Sequence, residues 1–199
     1  MANTGQSKIL KHLIGNSGQK LSIRKLSQMA EMDYKSAYNA VGSLKSQGII
    51  NARKIGNTTL CSFNYRLNSL VFEAERDRMR DILKNKNLMV IRNHLIELNF
   101  PLVVLLFGSY AKKTNTQHSD IDLLVISENP SEIDQELSLI PLKIHLTQVT
   151  YKEFMMSLKS REFNVVEEAI RHNIILVGIE EYYRLLENAE QGTYKRGGE

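Results

Sequence analysis

Apolar positions recur at helical spacing through Ile9, Leu10, Leu13 and Ile14 and stop at Gly15-Asn16-Ser17-Gly18, which predicts a first helix over residues 7–14 and then a turn. Ser22 stands three residues before Lys25 and ahead of Leu26, Met29 and Ala30, the signature of a capped second helix ending near residue 31. Asp33 is placed to cap a third helix, whose apolar positions Ala37, Val41 and Leu44 leave its other face polar and whose end falls at Gly48. Two β-prone runs, 49–55 and 58–63, flank Gly56-Asn57, a pair suited to a tight hairpin turn.

Beyond residue 70 the pattern changes. Residues 70–99 carry an apolar stripe through Val71, Ile82, Val90 and Leu95 amid alternating charge, which predicts a connecting or dimer-forming helix. Residues 101–107 (PLVVLLF) are a continuous apolar run, the pattern of a strand buried on both faces. A second strand is expected over 119–126, and a third over 142–149 with Ile144 and Leu146 on its core side. The stretch 151–187 reads as two helices around 174–178, with Tyr182 and Tyr183 as packing residues, and residues 191–199 read as a flexible tail. The chain is thus expected to be α+β, in four parts: 1–68, a connecting helix 69–85, 86–190 and 191–199.

Composition narrows the class. Charged residues make up 24% and apolar residues 42%, with only 3 Pro, so the chain should be globular and neither disordered nor collagenous. A lone Cys61 excludes an internal disulfide, and no Cys or His cluster has the spacing of a zinc site. No apolar run approaches the roughly 18–20 residues that cross a bilayer, and the opening MANTGQSK lacks a secretory core, so a soluble cytoplasmic protein with no membrane partner is expected. Charge is unevenly placed: residues 1–70 carry ten Lys and Arg against Glu31 and Asp33, a net +8, whereas 71–199 net −4. A small basic domain attracts polyanions, nucleic acid first among them.

The chemistry gathers where the apolar run 101–107 ends, at Gly108-Ser109. A glycine after a buried strand lets backbone approach a ligand closely, and a following helical turn aims N–H groups and the Ser109 hydroxyl at an anion. Eleven residues after Ser109, a strand period of two puts Asp120 and Asp122 on one face. Neighbouring carboxylates repel, and a divalent cation such as Mg²⁺ or Mn²⁺ offsets that cost while also taking substrate phosphates. A phosphate-cradling turn beside a metal-binding pair points to phosphoryl or nucleotidyl chemistry.

Two resemblances follow. Residues 5–66, three helices then a hairpin, resemble the winged helix-turn-helix DNA-binding family. That resemblance implies that Lys35, Ser36, Tyr38, Asn39, Ser43 and Lys45 on the third helix face DNA, with Arg53, Lys54, Asn57 and Thr58 on the wing. Winged helices also serve as protein-protein or dimerisation modules, and a homodimer is a further expectation. The string FGSYAKKTNTQHSDIDLLV resembles the small prokaryotic members of the DNA polymerase beta nucleotidyltransferase superfamily, over residues 86–183. This second resemblance implies transfer of NMP from an NTP, with Gly108 and Ser109 on the phosphates and Asp120 and Asp122 on metal. Lys112 and Lys113, just after the turn, are candidates to reach the triphosphate.

The departure from the superfamily lies on the third strand, where its third carboxylate would fall at His145. An imidazole can ligate a metal or accept a proton, yet brings no negative charge; the alternative is a plain polar surface residue. Glu153, eight residues on, substitutes only if the chain folds back. The expected activity is therefore that of a nucleotidyltransferase with a DNA-binding domain and an acceptor left open among a protein hydroxyl, a small molecule and a nucleic-acid end. The alternative is a transcription regulator whose catalytically weak or inactive fold senses a nucleotide.

Overall fold

In the computed structural model the described residues are 4–159 and 165–194, so the end of the expected tail, 195–199, lies outside them. The chain divides into two units, Met1–Arg76 and Asp77–Glu199.

The first unit runs α1 (Thr4–Gly15), β1 (Leu21–Ser22), α2 (Ile23–Met29), α3 (Tyr34–Ser46), β2 (Ile50–Ile55) and β3 (Thr58–Phe63). Its helices start where side chains satisfy orphan N–H groups: Ser22 Oγ accepts from Lys25 N at 3.1 Å, and Asp33 Oδ1 from Ser36 N at 2.9 Å. Ile9, Leu13, Leu26, Ala37 and Leu44 are fully buried and bind the three helices together. The hairpin β2–β3 turns between Ile55 and Thr58, which pair, and Gly56 there takes φ +57, a conformation that other residues adopt at a cost. β1 is an addition to the expected elements. It joins β3 antiparallel through Leu21↔Cys61 and Ser22↔Leu60, giving the sheet order β1-β3-β2, and two residues are too few to show a period in sequence.

Helix α4 (Ser69–Ile82) contains the division at Arg76/Asp77. The single helical stretch expected over 70–99 is in fact two helices, because Asn85 interrupts it. Its Oδ1 accepts from Asn87 N at 3.0 Å and Leu88 N at 3.4 Å, which starts α5 (Lys86–Ile96) afresh.

The second unit continues with β4 (Val103–Phe107), α6 (Gly108–Lys112), β5 (Ile121–Ile126), α7 (Pro130–Ser138), β6 (Ile144–Val149), α8 (Tyr151–Ser157), α9 (Val165–Arg171), β7 (Ile174–Val177) and α10 (Ile179–Tyr194). The sheet order is β6-β5-β4-β7, with β5 and β6 parallel and the other pairs antiparallel. The parallel pair needs a crossover, which α7 supplies. Val104, Leu106, Leu123 and Val125 share one core with Leu88, Ile91 and Leu95 of α5 and Ile133 of α7. The alternate residues Val103, Leu105, Leu124 and Ile126 are also fully buried, so the middle strands are covered on both faces, as the apolar run 101–107 predicts. Instead of one helix on each side of β7, α8 and α9 precede it and α10 follows. Tyr182 and Tyr183 are buried on α10, and the Tyr182 hydroxyl accepts from Asn173 Nδ2 at 3.0 Å. Residues 191–194 belong to that helix, which shortens the tail expected over 191–199.

Candidate functional site

In the second unit the site forms at one end of β4 and β5. The antiparallel register pairs Phe107 with Asp122, so the residue after β4, Gly108, comes to lie against the Asp122 side chain. Contact is close enough that a Cβ on Gly108 would stand 2.1 Å from Asp122 Oδ2, and Gly108 also has φ +65. Glycine is therefore required twice over, by space and by backbone conformation. α6 starts at once, with no side-chain cap on its first turn, and the Ser109 hydroxyl forms no hydrogen bond among the described residues. Asp120 is exposed and immediately precedes β5; Asp122 lies within it, half-buried.

The parallel register Asp122↔His145 carries the imidazole to the neighbouring position on β6. His145 Nδ1 lies 3.1 Å from Asp122 Oδ1, a hydrogen bond in which the ring N–H donates to the carboxylate oxygen. His145 thus stands beside Asp122, and no carboxylate stands at that position. Glu153 does not substitute. Its Oε2 accepts from Thr150 N at 2.8 Å while Thr150 Oγ1 accepts from Glu153 N at 3.2 Å, a capping box at the start of α8. The backbone N–H of Thr150, then its hydroxyl, hold the Glu153 carboxyl below its ordinary range.

Lys112 and Lys113 differ in their settings. Lys112 Nζ is paired with Glu168 Oε1 of α9 at 3.0 Å, a partner that lies 56 positions away and that sequence spacing does not indicate. Lys113 is exposed and ends α6 in the left-handed conformation, φ +57. A pocket of about 270 Å³ opens beside this end of the sheet, lined by Asn87, Tyr110, His118, Ser119, Pro141 and Lys143 among others; neither aspartate lines it.

Among the described residues no group of three or more His, Cys, Asp or Glu side chains is placed to hold a metal ion. The donor shown at the turn is Asp122, already bonded to an imidazole, with the exposed Asp120 two residues before it in the chain. That set suits a single hard cation completed by substrate phosphate oxygens, and falls short of a closed protein cage.

In the first unit, Lys35, Tyr38, Asn39 and Lys45 are exposed on α3, as are Arg53, Lys54, Asn57 and Thr58 on the hairpin. Two residues expected on that face have other work. Ser43 Oγ accepts from Gln6 Nε2 at 2.5 Å and from Gln47 Nε2 at 3.1 Å, which turns it toward α1. Ser36 gives its hydroxyl and N–H to Asp33, and these bonds hold that carboxyl below its ordinary range. Sequence reading missed Tyr34, whose exposed ring lies 6.4 Å from that of Tyr38, and Arg24 of α2. Both line a polar hollow of about 580 Å³ with Ser22, Gln28, Asn57 and Thr58. The four-residue spacing of Tyr34 and Tyr38 was the available signal.

Residues 88–183, the stretch that holds the mixed sheet, the Gly-Ser turn and the two aspartates, match the family model of the nucleotidyltransferase domain. No curated protein and no solved structure matches the chain. Among the described residues, no helix is long and apolar enough to cross a membrane.

Proposed function

We infer that the protein transfers a nucleoside monophosphate from an NTP to an acceptor hydroxyl, releasing pyrophosphate, and that its first unit binds DNA as a winged helix-turn-helix. The observation that carries the catalytic half is the seating of Asp122 on the Cα of Gly108, which brings one of the two aspartates to the turn. Gly108 and Ser109 bind the triphosphate through backbone N–H groups and the Ser109 hydroxyl, and Lys113 adds a cation at the end of the same turn. Asp120 and Asp122 would hold Mg²⁺ or Mn²⁺, which supplies charge neutralisation at the phosphates when bound. His145, oriented through its Nδ1–H by Asp122, takes the acceptor's proton at Nε2.

The DNA half rests on the helix and sheet order of the first unit and on its charge: eleven Lys and Arg against four acids through Arg76, a net +7. The exposed α3 face and the hairpin are its contact surface, with the protein acting as a homodimer in the cytoplasm. A second reading, a nucleotide-sensing DNA-binding regulator without transferase activity, is favoured by one observation, the imidazole at the third-carboxylate position.

Transfer of α-labelled NTP with Mg²⁺ or Mn²⁺, to the protein itself, to DNA or RNA, and to cell lysate, separates the two. Label carried by the native chain and reduced about a hundredfold or more in Asp120→Asn/Asp122→Asn supports the enzyme. No label anywhere, with Mg-nucleotide still bound, establishes the regulator.

A further inference from the structure

We propose that the nucleotidyl-transfer site works around one divalent cation per chain, the one that arrives with the triphosphate, because position 145, where His145 stands, supplies no carboxylate to hold a second. The proposal rests on the nucleotidyltransferase reading above and goes beyond it by fixing the metal count. A cation bound to a nucleotide brings anionic phosphate oxygens with it, so two carboxylates complete its shell. Any second cation, away from the triphosphate, must be held mainly by protein anions. Here Asp122 Oδ1 already accepts the His145 Nδ1–H at 3.1 Å, and Oδ2 lies over Gly108. Glu168, whose partner Lys112 follows the turn on α6, is engaged by that lysine, and Glu153 lies past the far end of β6, where it closes the capping box of α8. Position 145, next to Asp122 in the parallel register, thus holds an imidazole and adds no carboxylate to Asp120 and Asp122.

The test counts Mn²⁺ per chain by electron paramagnetic resonance. The full-length protein is saturated with an α,β-methylene NTP analogue, each of the four bases in turn, and the analogue-alone curve is subtracted. One Mn²⁺ is expected for the native chain and for His145→Asn, and two, spin-coupled, for His145→Asp, which restores a carboxylate. Position 145 is an exposed strand residue, its side chain 66% accessible, so these variants keep the fold, as circular dichroism would verify. Two ions on the native chain, or one on His145→Asp, overturn the proposal and leave the nucleotidyltransferase reading standing. No ion retained by any of the three proteins overturns that reading itself.

Discussion

At the scale of single residues, Gly108 carries the sharpest prediction. Replacing it with alanine places a methyl group 2.1 Å from Asp122 Oδ2 at a φ of +65, so the carboxylate must move. Gly108→Ala should therefore lose cation binding and transfer together and cost about 1–3 kcal/mol, read by Mn²⁺ titration and urea unfolding. Unchanged Mn²⁺ affinity in a folded Gly108→Ala protein would contradict the close approach. Cys61 gives a prediction of another kind. Burial in the first unit's sheet pushes its thiol up to about 11. Because the folded value is raised, this group favours the folded state below the ordinary thiol range, and that contribution is lost as pH rises toward 11. The native chain should resist thiol reagents at pH 8 and react at the rate at which the unit opens; immediate labelling without denaturant would show an exposed thiol.

At the scale of elements, side-chain caps decide where helices begin. Ser22 and Asp33 announce their helices in sequence because a polar residue precedes an apolar period, and both caps form. Asn85 carries the same signal, yet the apolar stripe continues on both sides of it, so the period conceals the break. Asn85→Ala should destabilise the second unit by about 1 kcal/mol, measured as a shift of its urea midpoint; a smaller effect than a few tenths would mean that the interruption survives without the cap. The buried strand over 101–107 was legible because run length is a local property. The placement of His145 beside Asp122 was legible only as a strand position, since the parallel register that joins them is set by a crossover through α7. The Lys112–Glu168 pair and the use of Ser43 by Gln6 were illegible for the same reason: each joins residues far apart in sequence. On the hairpin, Arg53 and Lys54 present charge at the exposed strand. Arg53→Ala/Lys54→Ala should weaken DNA binding at every sequence alike and reduce the slope of log K against log salt by about 2, whereas an unchanged slope would remove the hairpin from the interface.

At the scale of the whole molecule, a basic unit and a net acidic one are joined through a helix, α4, that is unbroken across the division at Arg76/Asp77. Such a connection matters only if ligands at the two ends bias one equilibrium. Linkage then makes a strict demand: whatever factor an NTP analogue applies to DNA affinity, DNA must apply to the affinity for the analogue. A coupling of about 1 kcal/mol, roughly fivefold, is the expected scale. Both dissociation constants are measurable on the full chain, at fixed salt because the DNA term falls steeply with ionic strength. Replacing Arg76 and Asp77 by glycine costs about 1 kcal/mol of helix per residue and should bring both factors toward unity while leaving each separate affinity in place. If the two factors are equal in the native chain and collapse together in the glycine pair, α4 transmits the coupling. If both are unity from the start, the two units bind their ligands independently.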